Sequence, residues 1–429
     1  MRSTETTGPP GRYERFRGEV MAGGSVTERP AVEEPPGGGP AGTALGAVIL
    51  GLLVWLGVTN PWMFLFVVGI LTSVFLHELG HFVTARLTGM KATQFFIGFG
   101  PRVWSFHRGE TEYGVRALPL GAFVRIIGMN NLDEVPPAEE ARTYRQQTFP
   151  RRLLVISAGS LMHLLLAVVL LFTVYGWRGE LVEGDGAQVG QVLAGGPAAA
   201  AGLRSDDVIV DIDGVPIVDS ETLGEAVRSH DPGDTVTIAF ERDDVAGTIE
   251  AVLGRNEDPG ELFGTARLGV STGGVVEWRE MGVGEAAVSS VTDLVPNAWN
   301  STKGVIQVLN PVNIWNHLSG QTEDLTTRPT TVVGITEVSG TIGETQGIMG
   351  VLFLLAALNV FVGVFNMFPL LPLDGGHAAI AVYERIRERN GRRYFADVSK
   401  LMPFAMGVIV LLLVLFMSGL YLDITKPLR

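Results

Sequence analysis

The sequence predicts a multi-pass α-helical membrane protein that has a β-rich domain inserted between its helices. Of the 429 residues, 46% are hydrophobic and only 18% are charged. Five windows of mainly apolar residues reach the length of roughly 20 residues that a helix needs to cross a bilayer core. The chain contains no Cys, so any metal site must use His, Asp and Glu. A formal net charge of -13 argues against a nucleic-acid partner.

Five apolar segments are predicted to span the membrane. They are 41–58, 62–87, 153–177, 349–373 and 401–422.

The segment 1–40 is rich in Gly and Pro and cannot bury enough apolar surface to fold, which predicts a disordered cytoplasmic tail. Segment 281–345 has an apolar-faced helical pattern, which predicts an extracytoplasmic amphipathic linker that lies at the membrane interface.

Basic residues cluster in three segments, and such segments normally face the cytoplasm. The tail 1–40 carries five Arg, segment 86–152 carries ten basic residues and segment 384–400 carries six. Five crossings place all three inside if the amino terminus is cytoplasmic, and segment 178–348 is then outside. The acidic bias belongs to this external part, because 178–300 holds seven Arg against 23 acidic residues.

His77, Glu78 and His81 form an H-E-x-x-H motif inside the second apolar segment. On a helix, residues i and i+4 share one face, so both imidazoles can bind one zinc ion while Glu78 acts as a general base. Zinc would polarise a carbonyl and lower the pKa of water towards neutrality. The alternative is a pair of incidental His at a membrane edge. We disfavour it, because ionisable residues within a membrane segment are costly and normally functional.

A catalytic zinc ion usually has three protein ligands and one open position. Segment 366–377, NMFPLLPLDGGH, is predicted to supply the third ligand, Asp374, from irregular backbone that follows two prolines. Asn366 lies at a depth similar to that of His77, where it can hold the substrate backbone or stabilise an oxyanion. The alternative makes Asp374 the N-cap of a following helix.

The HELGH motif and the N-x-x-P-x-x-x-L-D-G-G motif that begins at Asn366 resemble those of the site-2 protease family of intramembrane zinc metalloproteases. The resemblance covers about 62–422 and is nearest to bacterial members with a PDZ insertion. It implies one Zn²⁺ per chain, a multi-pass location in the bacterial cell membrane, and three zinc ligands and a catalytic base, namely His77, His81, Asp374 and Glu78. Substrates would be single-pass membrane proteins, such as anti-sigma factors already shortened outside by another protease.

Segment 94–128 alternates apolar and polar positions and contains many Gly, which predicts one or two β-hairpins. It resembles the family's membrane re-entrant β-loop, which lies beside the active site and can pair with an extended substrate by strand addition. Gly98, Gly100 and Gly121 are the predicted positions of close backbone approach.

Segment 186–275 combines short strand-like runs with two helical patterns and resembles a bacterial, circularly permuted PDZ domain. This resemblance places the carboxylate-binding loop at Leu268, Gly269 and Val270. The groove can capture a peptide carboxyl terminus by strand addition, or it can act as a size filter that excludes intact ectodomains. The sequence leaves both roles open.

The third apolar segment departs from the family pattern A-G-P-x-x-N. It reads AGSLMH, with Ser160 in place of Pro and His163 in place of Asn. If the match holds, His163 faces the site, where it could form a hydrogen bond or compete for the metal. It could also be a satisfied polar residue of the helix bundle.

Two other functions are compatible with parts of this pattern. An inactive scaffold could bind membrane partners through its PDZ domain, and it would not need Glu78. A zinc transporter is disfavoured, since transporters tend to show repeated halves and no repeat is visible. The intact HELGH and LDGG motifs favour an active enzyme.

Overall fold

The computed structural model describes residues 39–129, 133–243, 245–257, 262–322, 327–388 and 393–427. The predicted disordered tail lies outside these residues except at its last two positions. The chain divides into two units, which are Met1–Val174 with Val283–Arg429, and Tyr175–Gly282.

The first unit begins with two helices, a pair of long strands and a third helix. These are α1 (Pro40–Thr59), α2 (Pro61–Leu87), β1 (Ala92–Arg108), β2 (Thr111–Ile126) and α3 (Phe149–Trp177).

The second unit is β-rich and has two short helices. Its elements are β3 (Glu180–Val192), α4 (Pro197–Ala201), β4 (Val208–Ile212), β5 (Val215–Pro216), α5 (Ser220–Arg228), β6 (Thr235–Arg242), β7 (Val245–Val252), β8 (Gly254–Arg255), β9 (Ala266–Arg267) and β10 (Val270–Arg279).

The chain then returns to the first unit with six further helices. These are α6 (Val283–Thr292), α7 (Leu294–Val308), α8 (Pro311–Ser319), α9 (Val332–Asn366), α10 (Asp374–Arg387) and α11 (Met402–Thr425).

Five helices of the described chain are long and apolar enough to cross a membrane, as predicted, namely α1, α2, α3, α9 and α11. The helix α2 follows α1 almost at once, because Asn60 ends α1 and also caps α2 by accepting a hydrogen bond from the Met63 N–H at 2.9 Å. Pro61 suits the first position of α2, where no N–H is needed.

The fourth predicted span, 349–373, differs from the helix α9 at both ends. The helix begins at Val332, where the Thr331 side chain caps it, and a non-helical Gly347 with φ +68° interrupts it. It ends at Asn366, because the two prolines that follow lack an N–H and cannot continue a helix. The predicted linker 281–345 accordingly contains α6, α7, α8 and the first part of α9.

The last turn of α11 is tied to the start of α9 by the buried carboxylate of Asp423. Its Oδ2 accepts hydrogen bonds from the N–H and Oγ1 of Thr331 at 2.8 and 2.7 Å and from the Gly334 N–H at 3.2 Å. The Arg328 Nη2 atom lies 3.5 Å from Asp423 Oδ1. A carboxylate at a helix N-terminus is favourable, so this network joins the end of α11 to the start of α9.

The strands β1 and β2 fold back on each other with several shifts in register. Phe95 pairs with both Tyr113 and Val124, so the first part of β1 lies between the two ends of β2. The final part of β2, 122–126, therefore forms one edge of this small sheet. Such an edge presents unpaired backbone N–H and C=O groups.

Unit 175–282 is built on a sheet with the strand order β10-β3-β4-β6-β7. Its core is a cluster of buried aliphatic side chains that includes Ile209, Ile212, Val236 and Ile238, each fully buried. Asp219 caps α5 by accepting a hydrogen bond from the Thr222 N–H at 2.7 Å. The strand β10 lies at the sheet edge, and α5 packs against it.

Candidate active site

His77 and His81 lie one turn apart on α2, and both are buried. Their Nε2 atoms are 3.2 Å apart. Asp374 Oδ2 lies 3.4 Å from His77 Nε2 and 3.3 Å from His81 Nε2. In the described part of the chain, these side chains form the one group of three whose possible ligand atoms all lie within 4.8 Å of one another.

Asp374 reaches the two imidazoles because the chain turns sharply after α9. The α10 helix begins at Asp374 and is preceded by the non-helical segment 367–373. A Cβ on Gly375 would collide with the backbone of Met367, and one on Gly376 would lie 2.7 Å from the Leu371 nitrogen. Both glycines are therefore needed for this close approach.

The structure corrects two expectations about Asp374. It is the first residue of a helix, so it does not lie on irregular backbone. It is not the N-cap either, since that position is Leu373, which makes no side-chain cap hydrogen bond. A helix starting at residue 374 holds the carboxylate more rigidly than a loop would, because intrahelical hydrogen bonds fix its backbone.

The orientation of His81 is set by α3. Its Nδ1 donates a hydrogen bond to the Val155 carbonyl oxygen at 2.7 Å, which directs Nε2 at Asp374, and in the neutral tautomer that keeps this hydrogen bond Nε2 can bind a metal. Metal-binding imidazoles are commonly held in this way. One turn further along α3, a Cβ on Gly159 would lie 2.5 Å from His81 Nε2 and closer still to the His77 ring, so only Gly fits there.

The three side chains fit a zinc ion. Two imidazole nitrogens and one carboxylate oxygen are a donor set found in catalytic zinc sites, which keep a fourth position open. Asp374 Oδ2 is buried and makes no hydrogen bond with the described residues. A buried acceptor without a partner is costly, and a cation held jointly with His77 and His81 would satisfy it.

Glu78 lies next to the ligands and is held by the edge segment 122–126. Its Oε2 accepts a hydrogen bond from the Val124 N–H at 3.1 Å. A cavity of about 210 Å³ adjoins this carboxylate and is lined by Glu78, His81, Phe99, Ala122, Phe123, Val124, Ile126, Met129, Val155, Ile156, Pro372, Asp374 and His377. The candidate base Glu78, two candidate ligands and a strand edge thus line one cavity.

The three predicted glycines lie on the β1–β2 sheet. Gly98 and Gly100 have φ values of +87° and +78°, which other residues rarely adopt. A Cβ on Gly98 would lie 2.7 Å from the Leu118 carbonyl oxygen, and one on Gly121 would lie 2.7 Å from the Phe99 ring. Gly121 therefore makes room for a ring that lines the Glu78 cavity.

His163 packs against the site without joining the ligand group. Its ring centroid lies 5.1 Å from that of His77, and its Nδ1 donates to Asn359 Oδ1 at 2.8 Å. The Asn359 Nδ2 in turn donates to Ser73 Oγ at 3.1 Å. These buried side chains link α3, α9 and α2. Ser160 is also buried, and its hydroxyl has no partner among the described residues.

Asn366 is half-buried at the last position of α9, and the structure does not bring it into the ligand group. Sequence reasoning missed Asn359, although an amide within the apolar run VLFLLAALNVFVGVF is a visible signal, because polar groups in membrane segments are rare. It also missed Gly159, although this residue belongs to the AGSLMH segment that was compared with the family pattern, and the Val155 carbonyl, for which no sequence signal exists.

In unit 175–282, the predicted carboxylate-binding loop lies where β9 passes into the edge strand β10. Gly269 has φ +82°, and its carbonyl oxygen accepts a hydrogen bond from the Leu193 N–H at 2.9 Å, while that of Leu268 accepts one from Ala198. Leu268 is buried, and Val270 begins β10. The loop is thus held by its carbonyl groups at the start of β10.

Comparison with known proteins finds relatives that match most of the chain. Residues 65–412 match the family Peptidase family M50. Zinc metalloprotease Rip1 of Mycobacterium tuberculosis is 33% identical over 401 residues, which cover 85% of this chain and 97% of the relative. A putative zinc metalloprotease of Nostoc sp. is 30% identical over 322 residues, which cover 73% and 84%.

Among solved structures, the PDZ domain of the SdrC-like protein from Listeria monocytogenes is 30% identical. It covers 21% of this chain and 90% of its own, with a TM-score of 0.19. Because the M50 match extends from α2 to α11 and the relatives align over most of their length, the chain belongs to peptidase family M50 and is a metalloprotease.

Proposed function

We propose that this metalloprotease is a zinc-dependent intramembrane endopeptidase that cleaves single-pass membrane proteins and binds one Zn²⁺ per chain. The observation that carries the proposal is the convergence of His77, Glu78 and His81 on α2 with Asp374, which follows α9 by eight residues, because α2 and α9 are both long enough to cross a membrane. A soluble protease would have no need to place these groups on such helices.

The depth of the site supports cleavage within or near the bilayer. At about 1.5 Å per residue, His77 lies about 24 Å from the start of α2 at Pro61. A hydrocarbon core is about 30 Å thick, so this distance keeps the imidazole inside it. Polar side chains at such a depth are tolerated when they face the interior of a bundle.

Different side chains and backbone groups of the chain have separate roles in peptide hydrolysis. When bound, zinc supplies Lewis-acid chemistry that polarises the scissile carbonyl and makes water more acidic. The Val124 N–H fixes Glu78 Oε2, and we assign Oε1 the role of taking a proton from the attacking water and passing it to the leaving amine. Asn366 is our candidate for holding the substrate backbone.

The strand edge beside Glu78 suggests how a substrate is presented. A peptide bond within a helix is shielded by its own hydrogen bonds, so the substrate must be extended before attack. An extended segment can pair by strand addition with the groups of the edge 122–126 other than the Val124 N–H, which Glu78 holds, and this would bring its backbone to the Glu78 cavity. We propose that β1 and β2 act as a membrane re-entrant loop in this way.

We further propose a bacterial cell-membrane location with a cytoplasmic amino terminus and an extracytoplasmic unit 175–282. The distribution of Arg and Lys supports this topology. The unit is proposed to be a PDZ domain, because helix α5 packs against its edge strand β10, which begins at Val270 directly after Leu268 and Gly269. It would either capture a peptide carboxyl terminus or keep bulky ectodomains away.

Anti-sigma factors shortened by a first protease are the proposed substrates.

The test compares the full chain with Glu78→Gln in proteoliposomes that contain a single-pass reporter protein. We expect cleavage to fall by about 10²- to 10⁴-fold, the usual contribution of a general base, while the zinc content stays at one ion per chain. Glu183→Gln, an exposed carboxylate of unit 175–282, is the matched control and should cleave at the original rate.

Equal cleavage by the wild type and Glu78→Gln would remove the catalytic assignment. Loss of bound zinc in His77→Ala and Asp374→Ala, measured by elemental analysis, would support the ligand set. Cleavage of a soluble version of the reporter at the same rate would argue against an intramembrane substrate. A scaffold without activity would show no cleavage by any variant.

A further inference from the structure

A second cavity, of about 490 Å³, lies where α3 begins and α10 ends. It shares no lining residue with the Glu78 cavity. Four guanidinium groups and one carboxylate line it, from Arg145, Arg152, Arg385, Arg393 and Glu388. We propose that this cavity binds the phosphate of an anionic phospholipid headgroup.

Arg152 is the most deeply buried arginine that lines the cavity. It is 8% exposed, and its terminal nitrogen donates to Glu384 Oε2 at 2.6 Å. Its Nε is buried and makes no hydrogen bond with the described residues. A guanidinium stays protonated and has no acceptor, so Arg152 contributes a positive charge to the cavity wall that Glu384 holds in place.

Arg393 supplies a charge that is not neutralised by a neighbour. Its guanidinium donates to the carbonyl oxygen of Gln146 at 2.7 Å and to Oε1 of the same residue at 3.2 Å. Across the described ranges, no carboxylate forms an ion pair with it. Arg385 pairs with Glu388 at 2.6 Å. Arg is well suited to phosphate, because its planar fork can make two parallel hydrogen bonds.

The first turn of α3 adds backbone donors to the same cavity. Thr148 and Phe149 are among the lining residues and have backbone N–H groups, whereas Pro150, which also lines the cavity, has none. The first N–H groups of a helix have no partner within it, and the helix dipole favours negative charge at this end. The cavity therefore combines a helix N-terminus with the guanidinium of Arg393, which has no carboxylate partner among the described residues.

The surroundings favour a lipid over a soluble anion. Tyr394 and Phe395 line the cavity, and Ile386 and Tyr383 on α10 are 74% and 47% exposed. With 29 residues, α3 is about 43 Å long, which exceeds a hydrocarbon core of about 30 Å. Its first turns can thus extend into the headgroup layer, where basic pockets bind anionic lipids.

The experiment measures retained lipid on the full chain. The protein is reconstituted in nanodiscs of equal parts phosphatidylcholine and phosphatidylglycerol, and bound lipid is counted by native mass spectrometry after release. We expect a retained phosphatidylglycerol molecule. Arg393→Gln should lower its occupancy about fivefold, which corresponds to about 1 kcal/mol for one charge, and Arg385→Gln/Arg393→Gln should lower it further.

Arg108→Gln is the matched control, because Arg108 is exposed at the end of β1 and belongs to the same unit. The phosphatidylglycerol occupancy of this variant should equal that of the wild type. The occupancy of Arg393→Lys should lie between those of the wild type and Arg393→Gln. Equal occupancy in Arg393→Gln and Arg108→Gln would overturn the proposal. So would retention of phosphatidylcholine as strongly as phosphatidylglycerol.

A second arm separates a lipid from a free anion. Millimolar inorganic phosphate is added to the wild type, and we expect retained phosphatidylglycerol to stay unchanged. Full displacement would show that the cavity takes free phosphate and would overturn the lipid assignment. Lipid retention needs no proteolysis, so Glu78→Gln should retain phosphatidylglycerol like the wild type even if the proposed protease function fails.

Discussion

The Nδ1 atom of His81 lies 2.7 Å from the carbonyl oxygen of Val155, so α2 and α3 meet at the proposed zinc ligands. Because a backbone carbonyl orients the imidazole, the contact depends on how closely the two helices approach and not on the Val155 side chain. Gly159, one turn further on α3, allows this approach by leaving space beside both imidazoles.

Gly159→Ala should therefore impair metal binding. The added methyl group would overlap the His77 ring and lie 2.5 Å from His81 Nε2, which forces the rings or the helices apart. Changes at groups that orient metal ligands typically lower metal affinity by about 10- to 100-fold. Zinc affinity is measured by competition with a chromogenic chelator.

Gly176→Ala on the same helix is the control, since a Cβ there meets nothing within 4 Å. It should bind zinc like the wild type. Unchanged zinc affinity in Gly159→Ala would contradict the close packing of α3 against the ligands.

Gly375→Ala tests how Asp374 is positioned. A Cβ at this position would collide with the backbone of Met367 and Phe368, and backbone cannot move aside as a side chain can. We expect α10 to shift and the Asp374 carboxylate to leave the imidazoles, with loss of both zinc and reporter cleavage. Gly407→Ala on α11, where nothing lies within 4 Å, should change neither. Normal zinc content in Gly375→Ala would argue against the tight turn.

Local patterns in the sequence predicted the parts of the site that depend on one helix or one turn. The spacing of His77 and His81 places both on one face through the helical period, and the two glycines after Asp374 indicate a tight turn. The pairing of His163 with Asn359 could not be predicted, because it depends on which helices become neighbours. The start of α9 was missed because its first turns are rich in Gly and Thr.

His163→Leu tests whether this residue is structural or a metal ligand. Removing the imidazole leaves the buried Asn359 Oδ1 without its partner at 2.8 Å, which costs roughly 1–3 kcal/mol. We expect a lower melting temperature and an unchanged zinc content, because His163 is outside the ligand group. His163→Asn should keep most of the stability, since a carboxamide can also donate to Oδ1.

Leu165→Ala at an exposed position of α3 serves as the control and should melt close to the wild type. A His163→Leu protein that contains no zinc would instead identify His163 as a ligand.

Unit 175–282 should lose stability in acid through Asp207, whose carboxylate is 1% exposed. Burial alone would raise the pKa of this carboxyl, but hydrogen bonds from Arg242 at 2.6 and 2.7 Å and from the Arg204 N–H at 2.8 Å outweigh it and hold the pKa below its usual range. A carboxyl whose pKa is depressed by folding binds a proton more readily when unfolded.

The stability that the Asp207 carboxylate gives to the unit is therefore fully present above the unfolded pKa of about 3.9. It is lost as the pH falls through the lower pKa of the folded state. Asp207→Asn should weaken the unit at neutral pH, where the wild-type carboxylate is charged, and the difference should shrink as the pH falls below about 4. Hydrogen exchange of peptides from β4 and β6 in the full chain measures this, and comparing both proteins at each pH cancels the intrinsic effect of pH on exchange. Asp185→Asn, at an exposed position, is the control and should show the hydrogen exchange of the wild type at every pH. If the difference between Asp207→Asn and the wild type did not change with pH, the charge of Asp207 would not contribute to stability.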